Sequence, residues 1–222
     1  MAYFHVEKIC FDYYGTLVDV GAPFLEIKEW FRSALQARSS SVSLEQFYFY
    51  FVKQQSAYLC SSRFLTGMEI LSKSYLKACK RFQTEPCLKA FQAYVANLFT
   101  APKAYSEVRK TLQVLRKRYL VGLVTNADNQ VLQKSLSQQD FRLDFVISSE
   151  DAQCNKPKKE IFKMASADLP AERILMVGDS LREDVEGAAA VGMQAVWLNR
   201  EKKTNSASVL TVNTVRELLN YL

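Results

Sequence analysis

The sequence predicts an α/β fold: a Rossmann-like parallel sheet with helices on both faces, plus an all-helical segment inserted near the start. Three observations carry this. Apolar runs of strand length alternate with helix-length stretches across residues 100–222, the rhythm of a parallel sheet. Residues 20–99 carry helical patterning only. The first apolar run, Val6 to Phe11, stops at Asp12 and is followed by Tyr13-Tyr14-Gly15-Thr16, a glycine turn of the kind that borders α/β ligand sites. The core is therefore expected over 1–19 and 100–222, with a helical insertion over 20–99.

In order along the chain, Val6–Asp12 is the first strand. Within the insertion, Ser43-Leu44-Glu45-Gln46 and Thr66-Gly67-Met68-Glu69 have the spacing of capping boxes and mark helix starts. The aromatic run Phe47–Phe51 reads as helix packing rather than as a base-stacking platform. After Pro102 come a helix over Ser106–Arg118, a strand over Leu120–Val124 and a helix over Asn129–Gln138, with Asp128 as its cap. A strand over Phe145–Ile147 and a helix over Lys159–Ala167 follow. The last elements are a strand over Arg173–Val177, a helix over Glu183–Val191, a strand over Gln194–Leu198 and a helix from Asn213 as cap to Leu222. Asp19 reads as a helix cap or hinge anchor.

Composition bounds the function. The 222 residues are 49% hydrophobic and 23% charged, so the chain can bury a large core and is not disordered. Its 29 Lys+Arg against 23 Asp+Glu leave a net charge of +6, which suits an anionic ligand. The densest basic cluster, Arg116-Lys117-Arg118, closes a helix, where cations oppose the helix dipole, so no nucleic-acid partner is expected. Cys10, Cys60, Cys79, Cys87 and Cys154 are scattered, and His5 is the single histidine, which argues against a zinc site. With no apolar run of membrane-spanning length and no signal peptide, a reduced, cytoplasmic setting is expected. Nothing in the sequence bears on oligomeric state.

Polar residues collect at four places after strands. Asp12 ends the first, with Thr16 close behind; Thr125-Asn126-Ala127-Asp128 ends the next; Lys156-Pro157 follows the third; and Gly178-Asp179-Ser180, then Asp184, follow the fourth. In a parallel sheet these carboxyl ends open onto one crevice. A carboxylate there can attack phosphorus or an activated carbon and leave an intermediate that water hydrolyses. Asp12 and Asp179 would repel one another without a cation between them, and Mg²⁺ suits such a pair with phosphate and water. Thr125 and the main-chain N–H groups near Asn126 are suited to phosphate oxygens, and Lys156 to balancing negative charge.

Together, Phe11-Asp12-Tyr13-Tyr14-Gly15-Thr16-Leu17-Val18-Asp19, Thr125-Asn126, Lys156-Pro157 with Ile161-Phe162, and Gly178-Asp179-Ser180 to Asp184-Val185-Glu186-Gly187-Ala188 resemble the haloacid dehalogenase superfamily of hydrolases, from Val6 to Leu198. The resemblance implies a helical cap for the insertion. It makes Asp12 the nucleophile, Thr125 the phosphate-gripping hydroxyl and Lys156 the charge-balancing lysine. Asp179 becomes a Mg²⁺ ligand beside Asp12, Asp184 an orienting or water-mediated partner of the metal, and the Tyr14 carbonyl a further ligand. Thr16, Asn126 and Tyr14 are the candidate substrate contacts.

One position departs from the pattern. In the family's phosphatases the residue two after the nucleophile is an Asp that serves as general acid and base, whereas here it is Tyr14, whose unperturbed pKa near ~10 suits that task poorly. The 2-haloacid dehalogenase branch also carries Tyr there, and a leaving halide needs no proton. That branch, however, has a metal-free form of the last motif and a cap arginine. The nearest local match to the arginine's place puts Val52 there, with Arg32, Arg38 or Arg63 as substitutes. The favoured expectation is a Mg²⁺-dependent phosphatase acting on a small phosphorylated metabolite through an aspartyl phosphate, slow or limited to good leaving groups. The alternatives are a metal-independent 2-haloacid dehalogenase and a catalytically degenerate protein that binds a metabolite or partner.

Overall fold

The computed structural model describes residues 4–38, 41–59, 63–204 and 208–222. These form two compact units, one of Met1–Asp19 with Pro102–Leu222 and one of Val20–Ala101.

The first unit is built on β1 (Lys8–Phe11), an unbroken buried run that can be so only because both faces of its sheet are covered. Side chains alternate across it. Ile9 and Phe11 join one apolar cluster and Cys10 joins the other. The short antiparallel pair β2 (Val18–Asp19) and β3 (Lys103–Ala104) marks where the chain leaves and re-enters the unit. Asp19 thus sits in a strand, and the first helix of the insertion has Ala22 at its N-cap. Strands β4 (Leu120–Thr125), β5 (Phe145–Ser148), β6 (Ile174–Gly178), β7 (Gln194–Leu198) and β8 (Thr211–Val212) complete a parallel sheet in the order β5-β4-β1-β6-β7-β8. Phe11 lies level with Leu123 of β4 and Val177 of β6, so the three central strands end within two residues of one another.

Helices cover both faces. The Ile9–Phe11 side packs residues of Val108–Leu115, Asn129–Leu136 and the 3₁₀ helix Val215–Asn220. The Cys10 side packs residues of Lys159–Ala165 and Gly187–Ala189. Three expectations are corrected here. The N–H of Asn129 is capped by the Glu150 carboxylate at 2.7 Å, and Asp128, at the N-cap position, makes no side-chain cap bond. The last helix is 3₁₀ and begins after Thr214, because Glu217 takes up both the Asn213 N–H and the Thr214 hydroxyl. The segment after β6 winds as a π-helix over Leu181–Glu186, with Val185 N–H reaching back five residues to the Ser180 carbonyl at 3.3 Å.

The second unit contains α-helices α1 (Pro23–Gln36), α2 (Leu44–Leu59), α3 (Gly67–Arg81) and α4 (Leu88–Thr100). Pro23 pre-sets the φ of the first turn of α1. Thr66 and Glu69 form a complete capping box on α3, and Ser43 accepts the Gln46 N–H at 3.4 Å. The aromatic run packs: Phe47 and Phe51, one turn apart, are buried around Phe31 with Tyr75 and Phe91, while Phe49 is 72% exposed. Arg32 pairs with Glu29, and Arg38 bonds the Ala34 carbonyl and Cys87. Cys10, Cys79, Cys87 and Cys154 are free thiols, and Cys60 and Met1–Tyr3 lie outside the described residues. Among the described residues no helix is long and apolar enough to cross a membrane.

Candidate active site

Because β1, β4 and β6 end within two residues of one another, the segments at and after their ends bring side chains to one place. Asp12 follows β1 directly and is anchored by its own N–H to the Val177 carbonyl at 2.9 Å. Thr125, the last residue of β4, donates to Asp12 Oδ1 at 3.1 Å. Lys156, whose side chain is 1% exposed, donates to the same oxygen at 2.7 Å and to Asp184 Oδ1 at 2.5 Å. Asp184 Oδ2 accepts the Ser180 N–H at 3.0 Å, so a carboxylate sealed from solvent has both oxygens occupied. It fits there because Gly178 has no Cβ; one would lie 2.1 Å from Asp184 Oδ2.

Asp179 is the exposed member. One carboxylate oxygen from each of Asp12, Asp179 and Asp184 falls within 4.8 Å of the others. The Thr16 hydroxyl reaches Asp179 Oδ1 at 3.5 Å, the limit of a hydrogen bond. Gly15, at φ +79°, presses its backbone against Asp179, and a Cβ would stand 2.6 Å from Oδ2. The Tyr14–Gly15 main chain therefore borders this carboxylate, as a carbonyl ligand would need to.

Electrostatics follow from this crowding. Partial desolvation, then the Asp12 charge, push Asp179 up to about 6. Burial pushes Asp184 above the usual carboxylate range, with Lys156 opposing. Burial alone would lower the Lys156 pKa, but the charges and hydrogen bonds of Asp12 and Asp184 outweigh it and hold the ammonium above its ordinary value. Hard carboxylate oxygens this close form the donor set that Mg²⁺ takes, and the upward displacement of Asp179 is what a carboxylate waiting for a cation should show. The residues present fit the metal.

Asn126 accepts the Lys156 main-chain N–H at 2.7 Å and donates to Glu183 at 3.1 Å, so it braces the lysine. Tyr14 behaves differently from the carboxylates. Its hydroxyl bonds Ser135, which also meets the Tyr13 hydroxyl at 2.8 Å, and burial raises the Tyr14 pKa well above its ordinary value. A phenol so placed holds its proton. Lys158 and Lys159 are exposed, as is His5.

Several residues of the crevice escaped sequence reasoning. Glu183 lies beside Asp184 and is raised mainly by burial, yet in sequence it reads as one more charge on a helix. Trp197 donates its indole N–H to the Asp179 carbonyl at 2.9 Å, and Arg200 donates to the Thr16 carbonyl at 2.7 and 3.2 Å. Ser135 is a buried hydroxyl in an otherwise ordinary helix.

A parallel sheet whose strand ends bring three carboxylates, a lysine and a threonine into one crevice is an arrangement suited to a Rossmann-like hydrolase with a carboxylate nucleophile. The family is specific: the model of the haloacid dehalogenase-like hydrolases matches residues 7–192, and the chain belongs to that family. Pyrimidine 5'-nucleotidase YjjG of Escherichia coli is 28% identical over 165 residues, 69% of this chain and 72% of that protein. Haloacetate dehalogenase H-2 of a Moraxella species is 24% identical over 203 residues, 88% of this chain and 86% of that one. Among solved structures, the HAD-hydrolase YfnB of Bacillus subtilis, bound to magnesium, shares the fold at a TM-score of 0.73 and 19% identity, over 99% of this chain and 98% of that one. The named relatives fall on both sides of the divide between phosphate and halide chemistry.

Proposed function

We infer that the chain is a Mg²⁺-dependent phosphatase for small phosphorylated metabolites, working through an aspartyl phosphate on Asp12. The observation that carries this reading is the carboxylate cluster: Asp12, Asp179 and Asp184 offer oxygens within 4.8 Å of one another against a single lysine. Asp12 and Asp179, with the Tyr14 carbonyl, would hold the cation, and Asp184 would steady it from behind. Bound there, Mg²⁺ supplies charge neutralisation between the anionic nucleophile and an anionic phosphoryl group.

The chain's own residues account for the rest. Thr125 and Lys156 both donate to Asp12 Oδ1, which leaves Oδ2 to attack phosphorus. As the Oδ2–P bond forms, the bond from phosphorus to the leaving oxygen breaks. Water then attacks phosphorus, and phosphate departs as the Asp12 carboxylate is restored. Lys156 balances charge throughout. No carboxylic acid stands at position 14 to protonate a leaving alkoxide, so acyl phosphates and anhydrides, which leave as stable anions, are the favoured substrates.

Tyr14 also favours a second reading, metal-independent 2-haloacid dehalogenation, in which Asp12 displaces halide from carbon and the ester is hydrolysed. One panel separates the readings. Acetyl phosphate and p-nitrophenyl phosphate should be turned over with Mg²⁺, lost with EDTA and abolished by Asp12→Asn. Chloride release from 2-chloropropionate that survives EDTA supports the dehalogenase instead. Inactivity across both, and across a broad set of phosphate esters, leaves the degenerate binding protein.

A further inference from the structure

The turn that follows Asp12 closes on itself: Gly15 N–H bonds the Val18 carbonyl at 2.8 Å, and the Leu17 and Val18 N–H groups bond the Tyr13 carbonyl at 2.9 and 3.1 Å. The carbonyl of the buried Thr16 is taken instead by a side chain from far along the chain. Arg200 donates to it from Nη2 at 2.7 Å and from Nε at 3.2 Å. Its remaining nitrogen, Nη1, pairs with Glu107 at 2.8 Å, and the guanidinium lies 3.5 Å over the Tyr105 ring. Tyr105 in turn donates its N–H to the Leu17 carbonyl at 3.2 Å. The Arg200 side chain is only 13% exposed, and each of its three nitrogens faces a protein partner. It is therefore not poised to bind a substrate anion.

The position of Arg200 explains what this achieves. It follows β7, which is not a neighbour of β1, since β6 lies between them. Three residues earlier, the indole of Trp197 holds the Asp179 carbonyl at 2.9 Å. The segment Trp197–Arg200 thus grips the main chain of both carboxylate-bearing turns, one at Asp179 and one at Thr16. Between those grips Asp179 is wedged against Gly15, with Thr16 Oγ1 at 3.5 Å from its carboxylate.

We propose that Arg200 is a positioning residue that, with Trp197, sets the separation of Asp12 and Asp179 by clamping the Thr16 and Asp179 carbonyls from a single segment. Lysine cannot replace it fully, because two parallel N–H groups and a flat stacking face are needed at once. The kinetic arm of its test rests on the phosphatase reading; the exchange arm does not.

The variants are Arg200→Ala, Arg200→Lys and Trp197→Phe, compared with the intact protein in Mg²⁺ well below the melting temperature. In Arg200→Ala, kcat per folded molecule should fall up to about 100-fold, the size of loss a small misplacement of reacting groups produces, while KM moves less than about twofold. Millimolar guanidinium should restore part of the loss, and Arg200→Lys and Trp197→Phe should fall between. Amide hydrogen exchange at Gly15, Leu17 and Val18 should quicken in Arg200→Ala while the amides of β4 stay protected. A raised KM at constant kcat, which a substrate-binding arginine would give, overturns the proposal. So does an unchanged kcat with a lowered melting temperature, or unaltered exchange in the turn. Should Arg200→Ala not fold, the other two variants carry the same readings. If the intact protein turns over nothing, the phosphatase reading falls and exchange alone judges Arg200.

Discussion

Replacing Lys156 with methionine keeps all but one atom of the side chain's length and removes its charge. The ammonium now bridges Asp12 and Asp184, and its side chain and that of Asp184 are each 1% exposed, so nothing from solvent can take its place. The two carboxylates left behind present oxygens no more than 4.8 Å apart. At that distance, with an effective dielectric constant of about 20, their repulsion is about 3.5 kcal/mol. This agrees with the roughly 3–5 kcal/mol that breaking a buried ion pair costs. Lys156→Met should therefore lose about 3–5 kcal/mol of unfolding free energy at pH 8 in EDTA. The loss should shrink in acid. Burial already raises Asp184, and without Lys156 to oppose it the folded-state pKa climbs further above the unfolded value. A raised carboxyl binds its proton more readily in the folded state, so its contribution is fully present below the unfolded pKa and fades as pH rises through the folded one. The variant should thus regain stability relative to the parent as pH falls from 8 to about 7, below which the parent's own Asp184 takes up its proton as well, by at most about 1.4 kcal/mol per pH unit for one proton. Urea unfolding followed by circular dichroism across that range measures both quantities. A variant within about 1 kcal/mol of the parent at pH 8, or a loss equal at pH 5 and pH 8, refutes the charge-bridge account of Lys156.

Asp179→Asn removes a carboxyl whose pKa is pushed up to about 6, so in EDTA the variant should be slightly more stable than the parent above pH 6 and equal to it below about pH 4. Solvent screening at this exposed group keeps the gain under about 1 kcal/mol, while Mg²⁺ should no longer raise the melting temperature; a variant that Mg²⁺ stabilises as much as the parent contradicts the assignment. Tyr14→Asp supplies an acid where the phenol stands. It should raise kcat on alkyl phosphates by about 100-fold or more and change acetyl phosphate turnover little, and an equal effect on both would show that leaving-group protonation is not what Tyr14 withholds.

What could be read in the sequence and what could not divide along a physical line. β1 was legible because a strand covered on both faces is an apolar run, and its end was legible because Asp12 and Gly15 stop that run. Asp12, Thr125, Lys156, Asp179 and Asp184 could be expected to gather because each sits in a short local pattern at or after the end of a strand. Lys8, buried in the central strand with its ammonium on the Ala165 carbonyl and Asp168, gave no such sign. Neither did Arg200, since its partner is a main-chain carbonyl 184 positions away, and a carbonyl looks the same in every residue. The caps at Asp128 and Asn213 were misplaced for a related reason. Local spacing favoured the nearest polar residue, but Glu150 and Glu217 reached the free N–H groups first.

Charge arithmetic bears on the choice between the two chemistries. Three clustered carboxylates and one lysine leave the crevice at minus two when all are ionised. A haloacid enters as a carboxylate anion, and a phosphorylated metabolite enters carrying more charge still, so neither is welcome in the bare site. A divalent cation would cancel the excess and favour the ionised form of Asp179. A metal-free reaction would have to rely on protonation of Asp179 or Asp184, both of which burial raises. The carboxylates that would make a cation useful to the proposed phosphatase would thus weigh against a metal-free dehalogenase, and Tyr14, bonded to Ser135, would not relieve them. Position 14 alone points toward halide chemistry, and the proposed phosphatase reading rests instead on the balance of charge around Asp12, which acts on every substrate before any leaving group departs.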